Sequence, residues 1–456
     1  MTNPLSTLNA DLDEWLRYIE AIHPAKIDLT LDRVQCVKNR LSFQSQAKIF
    51  TIAGTNGKGS TCALIDSILR QAGYSVGLYT SPHLVQFNER AKINGQTVSD
   101  ACFIEAFQQV EAARCQTPVI ELTYFEFTTL AIVLIFARHN LDAFVLEVGL
   151  GGRLDAVNCF DTDCAICTSI DIDHQEYLGN TREAIGFEKA GIFRTNKPAI
   201  VADPSPPESI ARHAVALGAQ LWQSGSDFRF TGGDQQWDYR GRTQNRLALP
   251  YPALRGTNQL LNASAALAAL EAMRSVLPVS AQAVRQGLLL VDLPGRFQVL
   301  PGQPATVLDV AHNPHAAAHL AASLENMGFF QNTHCIFGML KDKDIQGVVQ
   351  YLKRVVNHWH LVTLPGDRGQ TAQALAQILI QSGVVAHQFD WASNARVKNQ
   401  SGIPRQPPLS SAQIYDNVEQ AYQVVTQAVS SSDRILVCGS FLTVGLVLSA
   451  KKVTKK

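Results

Sequence analysis

The segment KIFTIAGTNGKGSTCALIDSILRQAG (48–73) constrains this chain more than any other. Its opening, KIFTIAG, is a short apolar run of strand length, and residues 60–73 carry helical spacing up to a glycine stop. A strand that runs through glycines into a helix presents backbone N–H groups to an anion, and the helix N-terminus adds a favourable dipole. Gly54, Gly57 and Gly59 supply the bare backbone, Lys58 is placed for the β- and γ-phosphates, and Ser60 or Thr61 offers a hydroxyl near a metal ion. The standard phosphate-loop pattern is not met. Ile52 stands where its first glycine belongs, and Gly59 separates the lysine from the hydroxyl residue. Taken alone, the loop supports phosphate binding, with a plain strand-to-helix turn as the alternative.

The same alternation continues. SVGLY, AFVLE and CAICTSI are further strand candidates, and their near-continuous apolar character suits strands buried on both faces of a mostly parallel sheet. After Gly295 the pattern restarts: ATVLDV, HCIFG, WHLVTL and RILVCG read as strands with helical segments between them. The expected fold class is α/β: an N-terminal phosphate-loop domain (1–295) with a mostly parallel sheet flanked by helices, and a smaller, Rossmann-like C-terminal α/β domain (296–456). LPGR (293–296) is the expected hinge, and the polar, proline-bearing stretch 391–411 the expected surface loop.

A chain of 456 residues is too long for one ordinary core. With 39 basic and 39 acidic residues the net charge is zero, so no basic excess points to nucleic acid or a membrane surface. The first residues lack a secretion signal, and the most apolar stretch, Leu130 to Ala137, is too short to span a bilayer. Nine scattered cysteines with one CxxC, Cys164 and Cys167, inside a strand-like run read as reduced core residues rather than a zinc site. The expected setting is cytoplasmic, and the expected form a monomer.

Three further segments carry chemistry-bearing residues. Glu147 ends an apolar strand, where a carboxylate near a phosphate loop suits Mg²⁺, which takes one or two carboxylates with phosphate oxygens and water. A capping or structural glutamate is the alternative, although the GLGGRLDA run that follows does not suit a core element. His174 falls in a loop with Asp171 and Asp173, and is read from the sequence alone as a surface residue. Lys189, near a helix end, reads as a solvated charge.

AGTNGKGS resembles the Mur ligase superfamily, its Gly59-Ser60 ending is similar to the folylpolyglutamate synthase and dihydrofolate synthase branch, and EVGLGGRLDAVN, DHQEYLG, FEKAGIFR and DVAHNP, in that order, look like motifs of that branch. The matches run from about residue 27 to about 445. The resemblance implies ATP contacts at Gly57, Lys58, Gly59, Ser60, Asn262, Arg296 and Asp309. For Asn262 a helix N-cap is the alternative. It implies metal ligands at Ser81, Glu147 and His174, with two Mg²⁺ ions. It implies a lysine carboxylated by CO₂ at Lys189, and a nucleotide or glutamate partner at His312; Lys58, Lys189 and His312 are then the catalytic candidates. IDLTLDRV (27–34) and LTYFEFTTL (122–130) are similar to pterin-contacting segments, which implies substrate contacts at Asp28, Leu29, Thr30, Thr123, Tyr124, Phe125 and Glu126, completed by Leu154, Asp155 and Ala156. Helix core is the alternative for Tyr124, Phe125 and Phe127. FGMLKDKD (337–344) and VCGSFLTVG (437–445) also look like family segments without a chemistry of their own, and 203–255 and 384–413 match nothing.

The implied reaction uses ATP to phosphorylate the carboxylate of dihydropteroate or a reduced folate, and L-glutamate then attacks the acyl phosphate; closing the two domains would protect that intermediate from water. Three rivals stand beside it. A Mur-type ligase for a UDP-linked precursor needs a uridine-binding domain ahead of the loop, where only about fifty residues stand. A phosphate-loop NTPase would turn over ATP without an amino acid. A non-enzymatic nucleotide-binding module leaves GLGGRLDA and FEKAGIF unexplained.

Overall fold

The computed structural model describes residues 10–25, 27–384 and 411–453. The expected surface loop lies outside these residues, apart from Ser411, which begins a strand. The chain divides into two compact units, residues 1–253 with 258–293, and residues 254–257 with 294–456.

The first unit is built on an eight-stranded sheet: β1 (Lys48–Ala53), β2 (Val76–Tyr79), β3 (Ala91–Ile93), β4 (Gln96–Thr97), β5 (Ala143–Glu147), β6 (Cys164–Cys167), β7 (Pro198–Val201) and β8 (Gln220–Gln223). Their spatial order is β4-β3-β2-β5-β1-β6-β7-β8. β1, β2, β5, β6, β7 and β8 run parallel, and β3 and β4 add an antiparallel edge. The chain leaves β1 to one side for β2 and β5 and to the other for β6, so the order reverses at β1. A crevice opens outside the carboxyl ends of strands at such a switch point. All residues of β2, β5 and β6 are buried, which explains their unbroken apolar sequence. The stretch 203–255 contains a helix, Glu208–Leu217, and a small antiparallel sheet of β9 (Arg229–Gly232), β10 (Gln236–Arg240) and β11 (Asn245–Pro250).

Cys164 and Cys167 are free and buried in β6. Three positions apart on a strand, their side chains leave on opposite faces and cannot clasp one ion. Burial pushes the Cys167 thiol up to about 12.

The second unit holds a six-stranded sheet of β12 (Gln298–Leu300), β13 (Ala305–Leu308), β14 (Thr333–Phe337), β15 (His358–Val362), β16 (Ser411–Tyr415) and β17 (Arg434–Cys438). Its order is β12-β13-β17-β14-β15-β16, and only β12 is antiparallel to its neighbour. One face packs Cys335, Phe337, Trp359 and Leu361 into an apolar core with Leu320, Val348 and Leu375 from the covering helices. Among the described residues no helix is long and apolar enough to cross a membrane.

Candidate active site

In the first unit the chemistry-bearing residues leave from the carboxyl ends of β1, β2, β5 and β6. β1 leads into the glycine loop, where Gly54 has φ 151° and Gly57 has φ 89°. Neither glycine can be replaced in place. A Cβ on Gly54 would collide with Thr168 Oγ1, and a Cβ on Gly57 with Asn262 Oδ1. Gly57 caps the helix Lys58–Gln71, so the loop delivers the helix N-terminus. Lys58 Nζ donates to the carbonyls of Gly54 and Thr55 at 3.1 and 3.3 Å.

The loop after β6 clamps this turn. Thr55 N donates to Ser169 O at 2.7 Å, Thr168 Oγ1 donates to Asn56 O at 2.7 Å, and Thr55 Oγ1 meets Asp171 O at 3.0 Å. The sequence alone does not mark Thr168, Ser169 and Asp171 as loop partners. Their only sequence signal is a hydroxyl pair at the end of an apolar strand.

Asn262 lies in the helix Gln259–Ala272, which starts after Asn258. The N-cap alternative for Asn262 is therefore excluded. The residue sits one turn inside the helix, with its amide over Gly57 and its Nδ2 donating to Gln259 Oε1 at 3.1 Å.

Parallel pairing sets Glu147 beside Ile52, two residues before the loop. Glu147 is 4% exposed and accepts from Ser81 N at 3.0 Å, so two of the three expected metal ligands are joined. His174, the third, adopts φ 50° as the N-cap of the short helix Gln175–Leu178, with its Nε2 3.9 Å from Asp173 Oδ2. Thr61 Oγ1 is buried without a hydrogen-bond partner. Ser60 is buried beside it. Among the described residues no three His, Cys, Asp or Glu side chains converge as a cage. The donor set of one carboxylate, one imidazole and hydroxyls fits a hard ion that keeps water and phosphate oxygens as ligands.

Lys189 is not a solvated charge. It is 3% exposed, in the last turn of the helix Arg182–Ala190. Burial, then repulsion from Lys58, push its ammonium down to about 7, against the pull of Cys167, Asp173 and Asp155. Burial pushes Asp155 up to about 7, opposed by backbone N–H groups from Leu150, Val157 and Gly149 and by Lys58. Lys58, Lys189, Asp155 and Asp173 thus form one electrostatic cluster. The GLGGR turn is fitted to the lysine's helix. Arg153 N donates to Glu188 O at 2.7 Å, and a Cβ on Gly152 would press on the Lys189 backbone.

The two candidate substrate segments meet through Arg33, which no local sequence signal marks. Arg33 donates to Asp28 Oδ2 at 2.8 Å and to Glu126 Oε1 at 3.2 Å. Thr123 and Glu126 also form a capping box on the helix Tyr124–Ala137. Leu29 and Thr30 are partly buried next to Asp28. Tyr124 and Phe125 are half-buried, whereas Phe127 is core. Phe125 stacks on Tyr79 with centroids 6.1 Å apart and lies against Gly149. Tyr124 packs under the Arg90 guanidinium, 5.6 Å from its ring centre, and helps line a cavity of about 570 Å³ with Asp13, Leu16, Arg17, Glu20 and Arg90. Asp155 and Ala156 are buried at the cap of a short 3₁₀ helix, with Leu154 half-exposed ahead of them.

In the second unit Asp309 follows β13, and its carboxylate accepts from Phe297 N and Ala311 N, both at 2.8 Å. Burial pushes this carboxyl above the usual range, against the pull of Arg296. The Arg296 guanidinium lies 5.0 Å from the centre of the Phe441 ring, and the His312 ring 6.0 Å from it. His312 Nδ1 faces Val310 O at 2.9 Å, and because a carbonyl only accepts, that nitrogen is the donor. VCGSFLTVG thereby gains a role: Phe441 is the platform between Arg296 and His312. Asn313 caps the helix Pro314–Glu325.

The Mur ligase middle domain matches residues 52–270, and the Mur ligase glutamate ligase domain matches 295–441. The chain is 41% identical over 441 residues to the dihydrofolate synthase/folylpolyglutamate synthase of Escherichia coli K12, covering 96% of this chain and 94% of that one. It superposes on Escherichia coli FolC in complex with DHPP and ADP with a TM-score of 0.88, at 40% identity and coverages of 98% and 99%. A bifunctional folylpolyglutamate synthase/dihydrofolate synthase from Yersinia pestis, complexed with AMPPNP and a manganese ion, gives a TM-score of 0.85 at 42% identity, with coverages of 97% and 98%.

Proposed function

This chain belongs to the dihydrofolate synthase/folylpolyglutamate synthase family of Mur ligases, and on that premise we propose that it uses ATP to join L-glutamate to dihydropteroate and to reduced folates. The observation that carries this reading within the chain is the cluster of Lys58, Lys189 and Asp155 beside the glycine loop, with Glu147 and Ser81 joined at the neighbouring strand ends.

A carboxylate and an amine form no amide at neutral pH until the carboxylate is activated. Backbone N–H groups of Gly57 to Ser60 and the Lys58 ammonium hold the ATP phosphates in line with the attacking carboxylate, and Asn262 fixes the loop from above. Catalysis of phosphoryl transfer is mainly positioning and charge neutralisation. The acceptor's carboxylate oxygen bonds to the γ-phosphorus as the bond to ADP breaks. The glutamate amine then adds to the acyl carbon, phosphate leaves, and the amide remains. Two Mg²⁺ ions, held by Ser81, Glu147 and His174 with carboxylated Lys189 beside the second, would neutralise the transferred and leaving oxygens when bound.

Carboxylation of Lys189 has a local cause. An amine held down to about 7 is substantially neutral at physiological pH, which is the form that adds to CO₂. The product is a carbamate anion and a released proton. Lys58, which disfavours the ammonium, favours the carbamate.

Asp28, Leu29, Thr30, Thr123, Tyr124, Phe125, Glu126, Leu154, Asp155 and Ala156 take the pterin-bearing substrate: carboxylates for its amino and amide edge, aromatics for its flat face. Arg296, Asp309 and His312 serve nucleotide and glutamate. The first unit then supplies phosphate loop and acceptor site, the second the glutamate ligase half, in a monomer of the cytoplasm.

The test offers the purified protein ATP, Mg²⁺ and L-glutamate with dihydropteroate or tetrahydrofolate in parallel. Acceptor-dependent phosphate release with a glutamylated product is expected. Phosphate release at the same rate without either acceptor overturns the reading.

A further inference from the structure

We propose that His315 and His319 form a chelating site for a borderline divalent transition ion of the zinc class, with Thr257 as the residue that orients it. The two histidines stand one turn apart on the helix Pro314–Glu325, where residues i and i+4 share a face. Their Nε2 atoms face each other at 3.4 Å, with ring centroids 4.6 Å apart. Two imidazole nitrogens bound to one tetrahedral zinc ion at ordinary bond lengths are about 3.3 to 3.4 Å apart, so a zinc ion can be seated between them without moving either ring far.

The far nitrogen of His319 supports the same chemistry. Its Nδ1 lies 3.2 Å from Thr257 Oγ1. When Nδ1–H donates to that hydroxyl, the Nε2 lone pair points at His315, which is the tautomer a metal requires. Thr257 is itself fixed: its N–H donates to Ser323 Oγ at 3.3 Å, and Ser323 Oγ donates to the His319 carbonyl at 2.8 Å. Among the described residues no third His, Cys, Asp or Glu completes a cage. The site offers two imidazole nitrogens. Imidazole pairs select Zn²⁺, Ni²⁺ or Cu²⁺ over Mg²⁺.

The experiment is a zinc titration of the full, tag-free chain by calorimetry with Mg²⁺ in excess, repeated with Co²⁺ to record its visible absorption. Wild type is expected to bind one more equivalent of Zn²⁺ than His315→Gln or His319→Gln, and both variants to lose the cobalt band assigned to this site. Circular dichroism and melting of each variant confirm that it is folded. Thr257→Val is expected to keep the site with affinity reduced about tenfold. Identical zinc stoichiometry and affinity in wild type and both folded histidine variants overturns the proposal.

Discussion

The side-chain amide of Asn262 occupies the space that a Cβ on Gly57 would need, although 205 residues separate the two in sequence. The glycine is required twice over, by its φ of 89° and by the amide above it. Gly57→Ala therefore costs about 1 to 3 kcal/mol in backbone strain and displaces Asn262 as well. The expected outcome is loss of ATP binding with a lowered melting temperature. Asn262→Ala alone should weaken nucleotide binding and leave the fold intact. Unchanged nucleotide affinity in Gly57→Ala would show that this contact does not shape the loop.

Lys189→Met keeps the buried stem and removes the amine. Turnover is expected to fall about 100-fold or more, because the carbamate anion proposed at Lys189 can no longer form. Burial, then Lys58, push the folded ammonium down to about 7 from an ordinary value near 10.5. Burying it is therefore most costly below pH 7, and the cost is relieved as pH rises from 7 towards 10.5. The neutral amine grows through the same lower limit. Enzyme stripped of CO₂ should regain activity on adding bicarbonate at pH 8 and much less so at pH 6. Recovery that is equal at both pH values argues against the carbamate.

Glu147→Gln removes a carboxylate that is 4% exposed and joined to Ser81 N. The Mg²⁺ concentration needed for half-maximal rate is expected to rise at least about tenfold. A magnesium titration of initial rates checks this, and an unchanged midpoint excludes Glu147 as a ligand.

Arg33→Leu breaks the bridge between Asp28 and Glu126. Glu126 is buried, so the variant also leaves a carboxylate without its cation, and stability should fall by about 1 to 3 kcal/mol. Because Arg33 holds both candidate pterin carboxylates, the KM for dihydropteroate should rise about tenfold, equivalent to roughly 1.4 kcal/mol, while the KM for ATP stays constant. Equal changes in both KM values would reduce Arg33 to a purely structural role.

The second unit should melt more readily in acid. His334, His358 and His360 share one face of β14 and β15: His334 stacks on His358 at 4.5 Å, and its Nδ1 lies 3.2 Å from His360 Nε2. Asp433 lies 3.6 Å from His334, and Tyr415 Oη lies 3.2 Å from His360. Burial, then the neighbouring histidines, push His334 down to about 4 and His360 to about 3. Their neutral forms contribute stability that is complete above pH 6.5 and lost as pH falls towards these values, with a slope of at most about 1.4 kcal/mol per pH unit for each group. Melting temperatures between pH 7 and 4 should fall more steeply for wild type than for His360→Phe. Parallel curves would mean that the cluster does not govern acid stability.

Turn chemistry and periodicity were legible because they are local. A glycine loop between an apolar strand and a helix, an acid ending a strand and AHNP opening a helix are decided within a few residues, and they placed Lys58, Glu147 and Asn313 on their elements. Remote pairing was not legible. The setting of Glu147 beside Ile52, of Thr168 beneath Gly54, and of Arg33 between carboxylates 5 and 93 residues away follows from sheet order and helix packing, which no single segment states. Lys189 shows the difference most clearly. Its sequence neighbourhood is that of a surface lysine, and only the burial of its helix against the GLGGR turn, within reach of Lys58, makes its charge costly and its amine available.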